Sequence, residues 1–120
     1  MEFRYFNPSP SKRNVGDCTV RALSKATGRD WERTYAGLAL EGFIRRDMPS
    51  SNAVWGSYLR HHGYHRELAP DDMTVEEFAD LHPEGTYVLA LSGHVVCIQD
   101  GVLYDTWNSG SEIVLYFWKE

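Results

Sequence analysis

Three residues of this 120-residue chain have the types and settings needed for nucleophilic chemistry on an acyl group: Cys18, His94 and Asp105. Cys18 is placed to open a helix. Free backbone N–H groups and the helix dipole put partial positive charge there, which favours the thiolate, the reactive form of cysteine. Asp17 works against this by adding negative charge next door, unless its carboxylate turns back to cap the helix. His94 follows Ser92-Gly93 and opens a strand that leads into Asp100-Gly101. That dipeptide readily takes the positive φ angles of a two-residue hairpin turn. With such a turn Gln99 faces Val102, Val96 faces Asp105, and His94 faces Trp107. Side chains two residues apart share a face, so Asp105 becomes a diagonal neighbour of His94. A carboxylate there accepts a hydrogen bond from one ring nitrogen and aims the other at a nucleophile.

The same register puts Asn108 on the opposite face, beyond the regular part of the hairpin. It is the fallback orienter for the imidazole. Trp107 can shield the imidazole–carboxylate pair from water. Each residue also has an ordinary reading: a small residue at a helix start, a strand-end histidine, a turn carboxylate, a core tryptophan. It is their coincidence on paired elements that points to chemistry.

The elements that must carry these residues follow from periodicity and punctuation. An edge strand is expected over 3–6, then a loop to Val15. Asp17 caps a helix over 18–27, with Val20, Leu23 and Ala26 on its apolar side and Gly28 at its end. Asp30 caps a second helix, which Gly42 closes. A cap within Pro49-Ser50-Ser51-Asn52 starts a third helix over 53–62. Thr74 and Glu77 fit a capping box for a short helix that stops before Pro83. From Gly85 the period changes to that of strands, at 87–91, 94–99, 102–105 and 113–118. Helices first and an antiparallel sheet second is an α+β order, in one domain over residues 1–120.

Composition narrows the partners. A formal net charge of -5 argues against a nucleic-acid backbone as the main partner. No apolar run reaches the length of a membrane span, and Met1 to Phe6 lack the pattern of a secretion signal, so a cytoplasmic protein is expected. There both cysteines are expected as free thiols, with Cys97 a buried hydrophobe within Val95-Val96-Cys97-Ile98. His61 and His65 have a spacing that can bind metal on a helix face. Gly63 interrupts it and no cysteine or acid completes a set, so His61, His62 and His65 read as a solvated helix end. Neither a metal nor a cofactor is expected. Lys12-Arg13 and Arg45-Arg46 are too short to argue for nucleic acid.

The stretches Asn14 to Ala22, Gly93-His94-Val95-Val96 and Tyr104-Asp105-Thr106-Trp107 together resemble the papain-like cysteine peptidase superfamily, especially its small bacterial, phage and C39-like members. The resemblance in order and element type extends over most of the chain, though the motifs are short. It implies a papain-like fold with N-terminal helices packed on a C-terminal antiparallel sheet. It also implies a peptide or protein substrate, with Cys18 as nucleophile, His94 as general base and acid, and Asp105 as orienter. The backbone N–H of Cys18 would be one oxyanion donor. Papain-like enzymes usually carry a glutamine six residues before the cysteine for the second; Lys12 stands there, and Asn14 is the nearest replacement. Three functions are compatible: a cysteine hydrolase of peptide or isopeptide type, an acyltransferase using the same triad, and a binding module that keeps the fold without turnover.

Overall fold

Asp30, Ser51 and Thr74 each begin a helix by the same chemistry: a side-chain oxygen accepts an otherwise unpaired N–H of the first turn, from Arg33, Val54 and Glu77 respectively. Such a cap stabilises a helix by about 1 kcal/mol. The computed structural model, which describes residues 1–120, has four helices and six strands. In chain order they are β1 (Glu2–Tyr5), α1 (Cys18–Thr27), α2 (Trp31–Arg45), α3 (Asn52–His61), β2 (His65–Leu68), α4 (Val75–Leu81), β3 (Thr86–Leu91), β4 (His94–Gln99), β5 (Val102–Asp105) and β6 (Tyr116–Lys119). Thr74 and Glu77 form the full capping box at α4. At α1 the expected cap is missing: Asp17 makes no side-chain cap hydrogen bond, because its carboxylate is turned to Arg21 and Trp31.

The strands form one sheet in the order β1-β5-β4-β3-β6-β2. Every neighbouring pair is antiparallel except β1 and β5, which run parallel with Glu2 beside Val102 and Tyr5 beside Asp105. The sheet is therefore mixed, not antiparallel as expected. A parallel pair is joined by a long crossover and leaves no local turn signal to read. The β4–β5 hairpin turns on Asp100 and Gly101, at φ 51° and 76°. Its register is Gln99 to Val102, Ile98 to Leu103 and Cys97 to Tyr104. Asp100 also fastens the turn to the start of β3, since its carboxylate accepts the Gly85 N–H at 2.9 Å.

Both faces of the sheet are covered, which explains the near-continuous apolar runs of β3 and β4. Val88, Ala90, Val95 and Cys97 pack in one core with Leu23, Leu38, Trp55 and Leu59 from α1, α2 and α3. Leu89, Val96, Ile98 and Leu103 pack in a second core with Val75 and Phe78 of α4. Full burial of each such aliphatic or aromatic side chain stabilises the fold by about 1.5–3 kcal/mol.

Three further boundaries differ from expectation. Helix α2 runs through Gly42 to Arg45, and Arg46 adopts the left-handed cap at φ 56°. Gly42 is there because the returning chain crosses it: a Cβ would lie 2.6 Å from the Asp47 carbonyl oxygen. Strand β2 has no counterpart among the strands the sequence predicts. His-Arg-Glu-Leu has no apolar alternation, and it pairs only at the sheet edge, with β6. It also takes His65 away from the end of α3. His65 Nε2 meets Glu67 at 2.8 Å, while His61 lies 3.6 Å from Glu41 and His62 packs against the Tyr58 ring at a tilt of 36°. Finally, β6 starts at Tyr116; Ile113 makes only an isolated bridge to Thr74.

Candidate functional site

Three element ends meet at one place: the start of α1, the start of β4 and the end of β5. Because β5 returns antiparallel from the Asp100-Gly101 turn, Asp105 arrives beside His94. The His94 Nε2 to Asp105 Oδ2 distance is 2.7 Å. Asp105 is only 2% exposed. Its carboxylate also accepts the Ser109 hydroxyl at 3.0 Å and the Thr106 backbone N–H at 2.7 Å. With Nε2 engaged, Nδ1 is the ring nitrogen left for Cys18. The Trp107 ring stacks on the imidazole, with centroids 5.1 Å apart and planes at 27°, and covers it from solvent.

The electrostatics follow from this packing. Burial pushes the Cys18 thiol pKa up, but a hydrogen bond from His94, the Val95 backbone N–H and the His94 charge outweigh it, and the net shift is down from the ordinary 9.0. Burial opposes charge on His94, yet the hydrogen bonds to Asp105 and Cys18 and their charges raise its pKa from 6.5 to about 9. Burial likewise acts against the Asp105 carboxylate, and the His94 hydrogen bond and charge more than reverse it, so its pKa is lowered. The three groups favour a thiolate–imidazolium pair with a carboxylate behind it. Cys97, with no such partners and complete burial, is pushed up to about 12. The two cysteines are both free and are chemically opposite.

Behind the three lies a buried ionic network. Arg21, one turn into α1, pairs with the Asp17 carboxylate and reaches Asp105 Oδ1 with Nη2 at 3.4 Å. Trp31 Nε1 donates to the other Asp17 oxygen at 2.8 Å. Arg21 therefore neutralises the charge that Asp17 would otherwise bring to Cys18. It also ties the helix that carries the cysteine to the strand that carries the acid. The i, i+4 spacing of Asp17 and Arg21 is the signal in the sequence that points to it.

The thiol and imidazole open into a cleft of about 330 Å³. Gly16, Ser50, Asn52, Trp55 and Tyr116 are among its walls. Asn14 is exposed and is not one of its lining residues. Lys12 is also exposed, with its ammonium donating to the Asn7 carbonyl at 2.8 Å. Asn108 serves the turn after β5, where its side-chain oxygen accepts the Gly110 N–H at 2.9 Å. It does not meet His94, whose orienting partner is Asp105. No group of three or more His, Cys, Asp or Glu residues is arranged to hold a metal, and no helix is long and apolar enough to cross a membrane.

The fold and site thus define an α+β protein with a mixed six-stranded sheet and a cysteine–histidine–aspartate cluster at the mouth of a cleft. No protein-family model, curated protein or solved structure matches the chain.

Proposed function

We propose that this protein is a papain-like cysteine hydrolase that cleaves a peptide, isopeptide or related acyl bond through Cys18, His94 and Asp105. The observation that carries the reading is the imidazole held between a thiol of lowered pKa and a buried carboxylate. The Cys18 thiolate attacks the substrate carbonyl carbon, and the carbonyl π pair moves to oxygen to give a tetrahedral oxyanion. The free N–H of Cys18, at a helix start with no side-chain cap, is available to hydrogen-bond that oxyanion. As the intermediate collapses, the C–N bond breaks and His94 gives its Nδ1 proton to the departing amine. Neutral His94 then takes a proton from water, whose oxygen attacks the thioester. Collapse of this second intermediate releases the carboxylic acid and restores Cys18. Asp105 stays ionised throughout and holds the ring.

If an amine or thiol replaced water in the second half, the same residues would perform acyl transfer. Product analysis with added amine separates the two. A binding module without turnover is favoured by one observation, that neither Lys12 nor Asn14 reaches the cleft.

The test is chemical. One equivalent of iodoacetamide near neutral pH should label Cys18 and leave Cys97 untouched, and His94→Ala should slow that labelling strongly. An activated ester should leave a stoichiometric acyl adduct on Cys18, detected by mass. Equal slow labelling of both cysteines, together with no adduct from any activated ester, would overturn the proposal in favour of a binding module.

A further inference from the structure

An acyl-transfer site of this kind works best with two hydrogen-bond donors aimed at the developing oxyanion. The Cys18 N–H is one. The side chains upstream of it in sequence do not provide the second, since Lys12 and Asn14 lie outside the cleft.

A different element does reach it. Asn52 is the first residue of α3 and lines the same cleft as Cys18, as do Gly16 and Ser50. Its side-chain oxygen lies 3.0 Å from Trp55 Nε1. An indole nitrogen can only donate a hydrogen bond, so the amide oxygen must be the end that faces Trp55. The NH2 end of this exposed side chain therefore faces away from Trp55, and no protein acceptor engages it. Trp55 is a firm anchor: it is 1% exposed, stacks on Tyr116 with centroids 6.2 Å apart, and meets Trp118 edge-on. The other polar side chains of the cleft suit the task less well. The hydroxyls of Ser50, Thr19 and Tyr116 rotate and can accept as well as donate, and Thr19 already interacts with the Cys18 sulfur. A pre-oriented amide NH2 only donates.

We propose that Asn52 is the second oxyanion donor, its NH2 hydrogen-bonding the substrate carbonyl oxygen as Cys18 attacks. The inference rests on the cysteine-hydrolase reading above. It assigns to the start of α3 the role that the papain-like pattern gives to a residue before the cysteine.

Alkylation and acylation of Cys18 separate the two ideas. Iodoacetamide reacts by displacement at a saturated carbon and forms no oxyanion, so it reports the thiolate alone. Acylation by an activated ester passes through the tetrahedral intermediate and needs the donor. Two variants are compared with wild type at a pH where the thiolate is fully formed. Asn52→Ala removes the whole amide. Asn52→Asp keeps an oxygen for Trp55, guarding against loss of fold, and replaces the donor with a negative oxygen.

Both variants should alkylate at the wild-type rate and acylate about 10²–10³-fold more slowly, the usual cost of losing one such donor. Acylation slowed by less than about tenfold in the Asn52→Asp protein, or alkylation slowed in parallel with acylation, would overturn the role of Asn52. Failure of the wild-type protein to acylate at all would instead overturn the hydrolase reading, and this inference with it.

Discussion

Removing the Arg21 side-chain charge should cost the protein a large part of its stability, and removing the Asp17 charge as well should restore more than half of the loss. The side chains of Arg21 and Asp17 are 7% and 5% exposed, so their pairing is screened by almost no water. In Arg21→Met the Asp17 carboxylate keeps only the neutral Trp31 N–H as partner. Breaking a buried ion pair from one side costs about 3–5 kcal/mol, because the remaining charge is left without compensation. That is a large part of the roughly 5–15 kcal/mol that holds a domain folded. Asp105 does not add much to the loss. Its Arg21 contact is long, at 3.4 Å, and His94, Ser109 and Thr106 still hold it. In Asp17→Asn/Arg21→Met no buried charge is orphaned, and the new amide oxygen still accepts from Trp31. Urea unfolding followed by tryptophan fluorescence reads the difference. With a slope of about 2 kcal/mol per M, the single variant should unfold near 2 M less urea than wild type. The double variant should recover more than half of that. A loss below about 1 kcal/mol in Arg21→Met, or a double variant no more stable than the single, would refute the argument that an uncompensated charge sets the cost.

Two other perturbations test the site and the fold. In the unfolded chain His94 loses its proton near its ordinary 6.5, whereas in the fold it keeps it to about 9. The stabilisation this brings is complete below 6.5 and is lost as pH rises through about 9. His94→Gln should therefore cost stability at pH 6 and little at pH 10 by urea titration, and a cost independent of pH would contradict the charged imidazole. Gly42→Ala should lower the thermal midpoint by several degrees, although alanine is the better helix former by about 1 kcal/mol. Its Cβ would meet the Asp47 carbonyl oxygen at 2.6 Å, and relieving that overlap costs about 1–3 kcal/mol. A melting temperature equal to or above wild type would show that the Asp47–Pro49 segment yields freely.

What could be read in the sequence was local. Asp100-Gly101 sets a hairpin register within a few residues, and that register alone puts Asp105 next to His94. Asp30 and the Thr74–Glu77 pair mark helix starts by side chains that reach one turn ahead. What stayed hidden depends on partners far along the chain. The pairing of Glu2 with Val102 has no turn to announce it. Strand β2 is polar because an edge strand beside β6 needs backbone partners more than burial. Gly42 resembles a helix stop until the crossing segment is seen. Asp17 resembles a cap, and only its contacts with Arg21 and Trp31 show that the carboxylate is spent on a buried network instead. Asn52 belongs with these, since nothing in Ser51-Asn52-Ala53 hints that α3 starts at the cleft of α1.

The parallel pairing of β1 with β5 has a consequence in time. A ribosome makes the chain from β1 onward, so the edge strand and all of α1, α2 and α3 exist before any of β3, β4 or β5 has been made. β1 cannot join the sheet until the strand carrying Asp105 emerges, and such distant pairings form slowly. Until β4 emerges there is no His94 to lie beside Cys18 and lower its pKa. The lowered thiol pKa is therefore a late property of the chain, arising only when β4 packs on α1 after all four helices have been made.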